Sequence, residues 1–197
     1  MAVTGRPREF DRDAALEAAM LLFWRKGFAA SSMNDLCDAM GVRSPSLYAA
    51  FGSKEQLYLE AIEHYARTNG SAVWDQLARG HTARAGVESL LIAATESLPK
   101  SRMTPAGCMI MLASVGDEWP AAVARAGKKL RRDSLDMLRA RLETAVANGE
   151  LPASADIDAL SRFYMTVFEG MAIQAKDGAT QAELRGVVAA AMAAWPE

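Results

Sequence analysis

SMNDLCDAMGVRSPSLYAAF, Ser32 to Phe51, reads as two short helices joined by a tight turn. Ser32 is a natural cap for the first, and Asp35 three residues on puts a carboxylate in its first turn. Met33, Leu36, Cys37 and Met40 recur at helical spacing on one side. Gly41 supplies the backbone freedom that ends this helix. Ser44 followed by Pro45 opens the next one, because proline costs little at a first helical position. Leu47, Tyr48 and Phe51 give the second helix an apolar side, while Ser46, Ala49 and Ala50 leave another side small. An ordinary helical hairpin satisfies this pattern. So does a helix-turn-helix, in which a short helix with a small outer face enters the DNA major groove.

The flanks extend the second reading. Upstream, Asp11 caps a predicted helix to about Lys26, with Leu16, Ala19, Met20 and Phe23 as its apolar stripe. Gly27 ends it, and Phe28 is expected to fold back onto the stripe. Downstream, Ser53 with Gln56 forms a capping box for a long helix whose inner face carries Leu57, Tyr58, Ala61, Ile62 and Tyr65. The chain opens with MAVTGRPRE, where Arg6 and Arg8 flank a proline. Alone this is a disordered tail. Beside a helix-turn-helix, two arginines can lie along a minor groove or a phosphate row.

Composition bounds the alternatives. The 197 residues are 51% hydrophobic, enough for a real core. The formal charge of −2 argues mildly against a nucleic-acid binder, although the basic residues of the tail are locally concentrated. Two cysteines, Cys37 and Cys108, are too few for a disulfide scaffold and suit a reducing cytoplasm. The polar, arginine-bearing start predicts no secretory leader. No apolar run is long enough to span a bilayer. There is no Ser/His/Asp order, no phosphate-binding glycine loop, no metal-ligand spacing at His64 or His81 and no obvious carboxylate dyad. A non-enzymatic protein without metal or cofactor is expected, with a helical redox protein acting through Cys108 as the enzymatic alternative.

The remainder reads as helix throughout. Thr82 starts a helix with Val87, Leu90, Leu91, Ala94 and Leu98 on one face. Gly107 to Val115 predicts a short helix, apolar nearly all round and therefore central. After Pro120 a long helix carries Val123, Leu130, Leu135, Leu138, Leu142 and Ala145. Its Lys128, Lys129, Arg131 and Arg132 cluster reads as a solvated face, with a second nucleic-acid site as the alternative. Asp156 to Lys176 has two apolar sides, one with Ile157, Leu160, Tyr164, Val167, Phe168 and Met171, the other with Phe163, Gly170 and Ile173. Thr180 and Glu183 box the final helix, which is rich in small residues that permit close helix approach. These two helices either close the core or pair with a second copy as a four-helix interface.

At this point the sequence resembles the TetR family of transcriptional regulators. The resemblance is carried by the helix ending at Gly27-Phe28, then Ser31-Ser32, then Ser46-Leu47-Tyr48-Ala49-Ala50-Phe51 and Lys54. GRPREFDRDAAL, TPAGCMI, Gly170-Met171, Lys176-Asp177-Gly178 and Trp195-Pro196 are similar to the ComR-like branch. The resemblance implies an all-α fold of about nine helices, with an N-terminal arm and helix-turn-helix in residues 1–52 and an effector-binding and dimerisation domain in 53–197. It implies an Ω-shaped homodimer joined through the last two helices, a palindromic double-stranded operator, and repression relieved by a small-molecule effector. Tyr48, Lys54 and Ser32 match family positions that contact phosphate; Arg43, Ser44 and Ser46 match positions that read bases. Of the base readers only Arg43 can make a bidentate guanine contact. Ala50 departs from the family, where a histidine often adds a phosphate contact. Greater dependence on Arg6, Arg8 and Lys54 follows.

For the effector, Cys108 is expected near a helix N-terminus, where thiolate is favoured. Met103, Met109 and Met111 lie close by, so a thiol sensor and a soft-metal site through Cys108 both stay open beside plain apolar packing. An apolar organic effector in the helical body would be lined by Met109, Leu112, Trp119, Phe163, Tyr164, Phe168 and Met171. A tilt of the long helix after Ser53 would couple effector to head spacing.

Overall fold

The computed structural model describes residues 10–113 and 119–196, and every regular element among them is helical. Arg6 and Arg8 lie outside the described residues. Four helices open the chain: α1 (Arg12–Ala30), α2 (Met33–Met40), α3 (Ser44–Phe51) and α4 (Lys54–Tyr65). A π turn, Ala66–Gly70, leads into two four-residue helices, α5 (Ser71–Trp74) and α6 (Gln76–Arg79). Then come α7 (Ala83–Ser97), α8 (Met109–Leu112), α9 (Ala121–Ala147), α10 (Ile157–Lys176) and α11 (Gln181–Ala193). Contacts divide the chain into two compact units, Met1–His64 and Tyr65–Glu197, so that α4 up to His64 packs with the first three helices.

Most helix starts form where the sequence places a cap. Asp11 accepts from the amides of Asp13 and Ala14, Thr82 from Ala85 and Asp156 from Ala159. Thr180 and Glu183 form a complete capping box. These bonds satisfy amides that the first helical turn leaves without partners. In the first unit Leu16, Ala19, Met20 and Phe23 of α1 are buried with Leu36, Met40, Leu47, Phe51, Leu57, Tyr58 and Ile62. Gly27 takes φ +79, breaking α1 one turn before its end. Phe28 then stacks on Phe23 at 6.3 Å between ring centroids and meets Tyr58 edge-on at 5.3 Å.

In the second unit α7 is the central helix, touching α5, α6, α9, α10 and α11. That place was expected for the apolar segment after Gly107, which is helical only over Met109–Leu112. Gly107 sits at φ +81, where a Cβ would come within 2.6 Å of the Leu112 side chain and 3.1 Å of the Ala172 carbonyl. The chain there runs too close to α10 to coil earlier. Met109, Ile110 and Met111 are nonetheless buried, packed between α9 and α10. Among the described residues no helix is long and apolar enough to cross a membrane.

Candidate nucleic-acid interface

The turn between α2 and α3 is built from its caps. Ser32 Oγ accepts from the Asp35 amide at 3.0 Å, and the Asp35 carboxylate accepts from the Ser32 amide at 3.0 Å. Lys26 of α1 closes on the same carboxylate at 3.1 Å, tying α2 to α1. Chiefly the Ser32 amide, then the Ser32 hydroxyl and Lys26, hold the Asp35 carboxyl down at about 2. At the other end Gly41 adopts φ 64 and ψ 30. The Val42 amide reaches Cys37 O at 3.0 Å and the Gly41 amide reaches Asp38 O at 3.3 Å, which is a Schellman closure. The chain turns sharply there and enters α3 through Arg43, with Pro45 in the first turn.

Leu47 and Phe51, four residues apart, pin α3 to the core. Tyr48 does not join them, contrary to its expected place on the apolar side: it is 47% exposed. One residue is 100° of helix, so the residue after Leu47 turns out with Ser44, one helical turn before it. Arg43, Ser44, Ser46, Tyr48 and Ala49 are all exposed, giving α3 a polar, small-residue outer face with one aromatic hydroxyl. Ser32 is exposed on the same unit, at the start of α2.

Lys54 begins α4 behind this face. Its Nζ lies 4.4 Å from the centroid of the Phe28 ring, and partial burial lowers its ammonium below the usual lysine range. The contact seats a charge that would otherwise swing on a flexible stem. Ser53 Oγ accepts from the Gln56 amide at 3.1 Å, setting the first turn of the helix that carries it.

Arg12 joins the head through partners distant in sequence. Its guanidinium sits 4.4 Å from the Phe51 ring centroid, pairs with Glu60 at 2.7 Å and reaches the Ala50 carbonyl at 3.4 Å. Phe10 packs on the same Phe51 ring, 6.5 Å between centroids. The described chain therefore begins against the C-terminal end of α3. No local signal marks Arg12, because its partners lie 38 and 48 residues away.

The effector candidates occupy different settings. Met109, Tyr164, Phe168 and Met171 are buried, Leu112 and Trp119 are half-buried, and Phe163 is 41% exposed. Tyr164 packs against Phe163 and Trp195 and donates to Ala191 O at 3.4 Å, while Phe168 packs on Trp74. None of them lines the cavities at Thr82–Trp195 or between α9 and α10. Cys108 is the N-cap of α8, but a four-residue helix has little dipole to offer a thiolate. Cys108 is 5% exposed, and burial pushes its thiol up, against hydrogen bonding with Tyr65 that pulls the other way. Among the described residues no group of three or more His, Cys, Asp or Glu side chains is placed to hold a metal ion.

Comparison with known proteins agrees with this geometry. Residues 15–61 match the N-terminal model described as bacterial regulatory proteins, tetR family, and residues 89–191 match the tetracyclin repressor-like C-terminal domain. The HTH-type transcriptional repressor ComR of Escherichia coli K12 is 35% identical over 202 residues, covering 98% of this chain and 92% of ComR. BdcR, a second HTH-type transcriptional repressor of that strain, is 44% identical over 75 residues, 38% of either chain. A cysteine mutant of the TetR family transcriptional regulator CifR, complexed with 26 bp double-strand operator DNA, superposes with a TM-score of 0.91. It is 42% identical and covers 97% of this chain and 100% of its own.

Proposed function

The chain belongs to the TetR family of bacterial regulatory proteins, and from that premise we propose that it is a repressor which binds a palindromic operator as a homodimer and is released by a small-molecule effector. The observation that carries the reading is the outer face of α3. It is held by Leu47 and Phe51, yet exposes Arg43, Ser44, Ser46 and Tyr48 with only the small Pro45 and Ala49 among them. A helix of that kind in the major groove reads bases through Arg43 and the two serines, while the Tyr48 hydroxyl donates to a phosphate. Lys54 and Ser32 supply further backbone contacts, and Arg6 and Arg8 follow the minor groove. Residues 1–52 act as arm and reading head, and 53–197 as effector-binding and dimerisation domain.

The homodimer forms through α10 and α11. Support comes from an exposed apolar line on α10 in which Phe163 is 41% and Ile173 54% exposed, with Gly170 between them. On α11 and its C-cap the outward Ala189, Ala190, Ala193 and Ala194 allow a partner helix close approach. The effector enters the second unit, and a bacterial cytoplasm is where such a protein works. A thiol- or soft-metal-responsive input through Cys108 is the second reading, and it needs the second unit to open, because Cys108 is 5% exposed and burial pushes its thiol up.

The test is selection of binding sites from a random duplex pool, followed by fluorescence anisotropy with Arg43→Ala. Enrichment of a two-fold symmetric sequence is expected. The variant should lose about 1–3 kcal/mol of discrimination at one position of each half-site. Failure to enrich any sequence overturns the reading.

A further inference from the structure

Most of the basic cluster on α9 lines a cleft rather than a flat solvated face. Lys128, Arg131, Arg132, Leu135, Asp136 and Arg139 fall three and four residues apart, on one face of α9. Arg162, Met165, Thr166 and Glu169 do the same on α10. The two faces line an open cleft of about 530 Å³, a volume within the range of small-molecule sites. Five cationic side chains line it against two carboxylates, in a chain whose formal charge is −2. We infer that this cleft binds a small organic anion bearing a carboxylate or phosphate group.

Its cations are not equivalent. Arg131 Nη1 donates to the carbonyls of Ile110 at 3.2 Å and Ala113 at 2.7 Å, so its guanidinium is already fixed before any ligand arrives. A preorganised fork of this kind suits planar or tetrahedral oxyanions and loses little entropy on binding them. Arg139 pairs with Asp158, but its Nε is buried and has no hydrogen-bond partner among the described residues. A buried donor without an acceptor is costly, and an anion in the cleft is a source of one. Glu169 offsets part of the charge. Burial raises its carboxyl and Arg131 draws it back down, which marks the two as near neighbours. Lys128, Arg132 and Arg162, all exposed, remain to face a ligand. Lys129 points elsewhere and pairs with Asp133 at 2.6 Å. Buried Met165 and half-buried Leu135 add apolar surface that suits an organic ligand. Charge that lines a concavity fits a small molecule better than the outward-facing phosphate rows of a duplex.

Isothermal titration of the full chain with pyrophosphate and with citrate, at low ionic strength, tests the inference. Saturable binding at one site per chain is expected for at least one probe. Arg132→Gln and Arg162→Gln should each weaken it about tenfold, the loss of roughly one charge-assisted hydrogen bond. Lys129→Gln, outside the lining, should leave it unchanged. Circular dichroism melts establish that each variant is folded before titration. Absence of saturation with both probes overturns the inference. So does an equal loss in Lys129→Gln, which would mean diffuse attraction to a basic helix. The titration contains no DNA, so its failure leaves the operator-binding reading standing, and failure to select an operator leaves this one standing.

Discussion

At Lys54 the contact with the Phe28 ring holds the ammonium at the first turn of α4, where both the charge and the helix N-terminus favour an anion. Lys54→Ala is therefore expected to weaken binding to all duplexes alike and to reduce the salt slope of log K by about 1. Anisotropy titrations at several salt concentrations read both effects, and an unchanged slope would remove Lys54 from the interface. Asp35 gives a pH prediction. Its carboxyl lies at about 2 in the folded chain, below the ordinary 3.8. Its contribution is thus complete above about 3.8 and is lost as pH falls through about 2. The stability difference between the wild type and Asp35→Asn, followed by urea unfolding, should shrink over that window; a difference independent of pH would contradict the capping account. Cys108, with its thiol raised by burial, should resist maleimide in the native state while half-buried Cys37 labels faster. Labelling of Cys108 at the rate of an unfolded chain, read by peptide mass analysis, would show that it is accessible after all. Individual residues were legible where local chemistry sets them: Ser32 with Asp35, and Phe28 after Gly27. Arg12 was not, because what makes it matter is Glu60 and Phe51, distant in sequence and close only in the fold.

Among the elements, α2 and α3 follow closely from their caps and turn glycine. Gly41 carries φ 64, and a Cβ there would meet nothing within 4 Å. Gly41→Ala should therefore cost only the left-handed backbone term, about 1–2 kcal/mol. Thermal unfolding measures it, and a neutral substitution would show that the turn relaxes without loss. Tyr48 faces outward rather than to the apolar side, because three apolar residues on an eight-residue helix fix its rotation poorly and packing of Leu47 and Phe51 sets it. The short α8 was overestimated for a different reason. An apolar run shows burial but not conformation, and the approach of Gly107 to α10 is a tertiary constraint. The π turn at Ala66–Gly70 left no mark either, since one extra residue in a helix does not alter the local composition. On α9 the basic cluster is visible in the sequence, but its partners Arg162 and Glu169 become neighbours only when α10 packs on α9.

For the molecule as a whole, the proposed assembly puts two heads on one operator, so weak contacts from each head add through the dimer. Ile173→Glu places a charge on the exposed line of α10 without touching the core. It should shift the protein to monomer in sedimentation velocity and weaken operator binding far more than Lys54→Ala does. A variant that stays dimeric would relocate the interface. In that assembly α3 of each subunit reads one half of a symmetric site. Hydroxyl-radical footprinting of the wild-type protein on a duplex selected from a random pool tests it most directly. Two protected half-sites are predicted, related by two-fold sequence symmetry, with centres about 34–36 Å apart or a multiple of that. A single asymmetric protected patch, or protection with no preferred sequence, would contradict it.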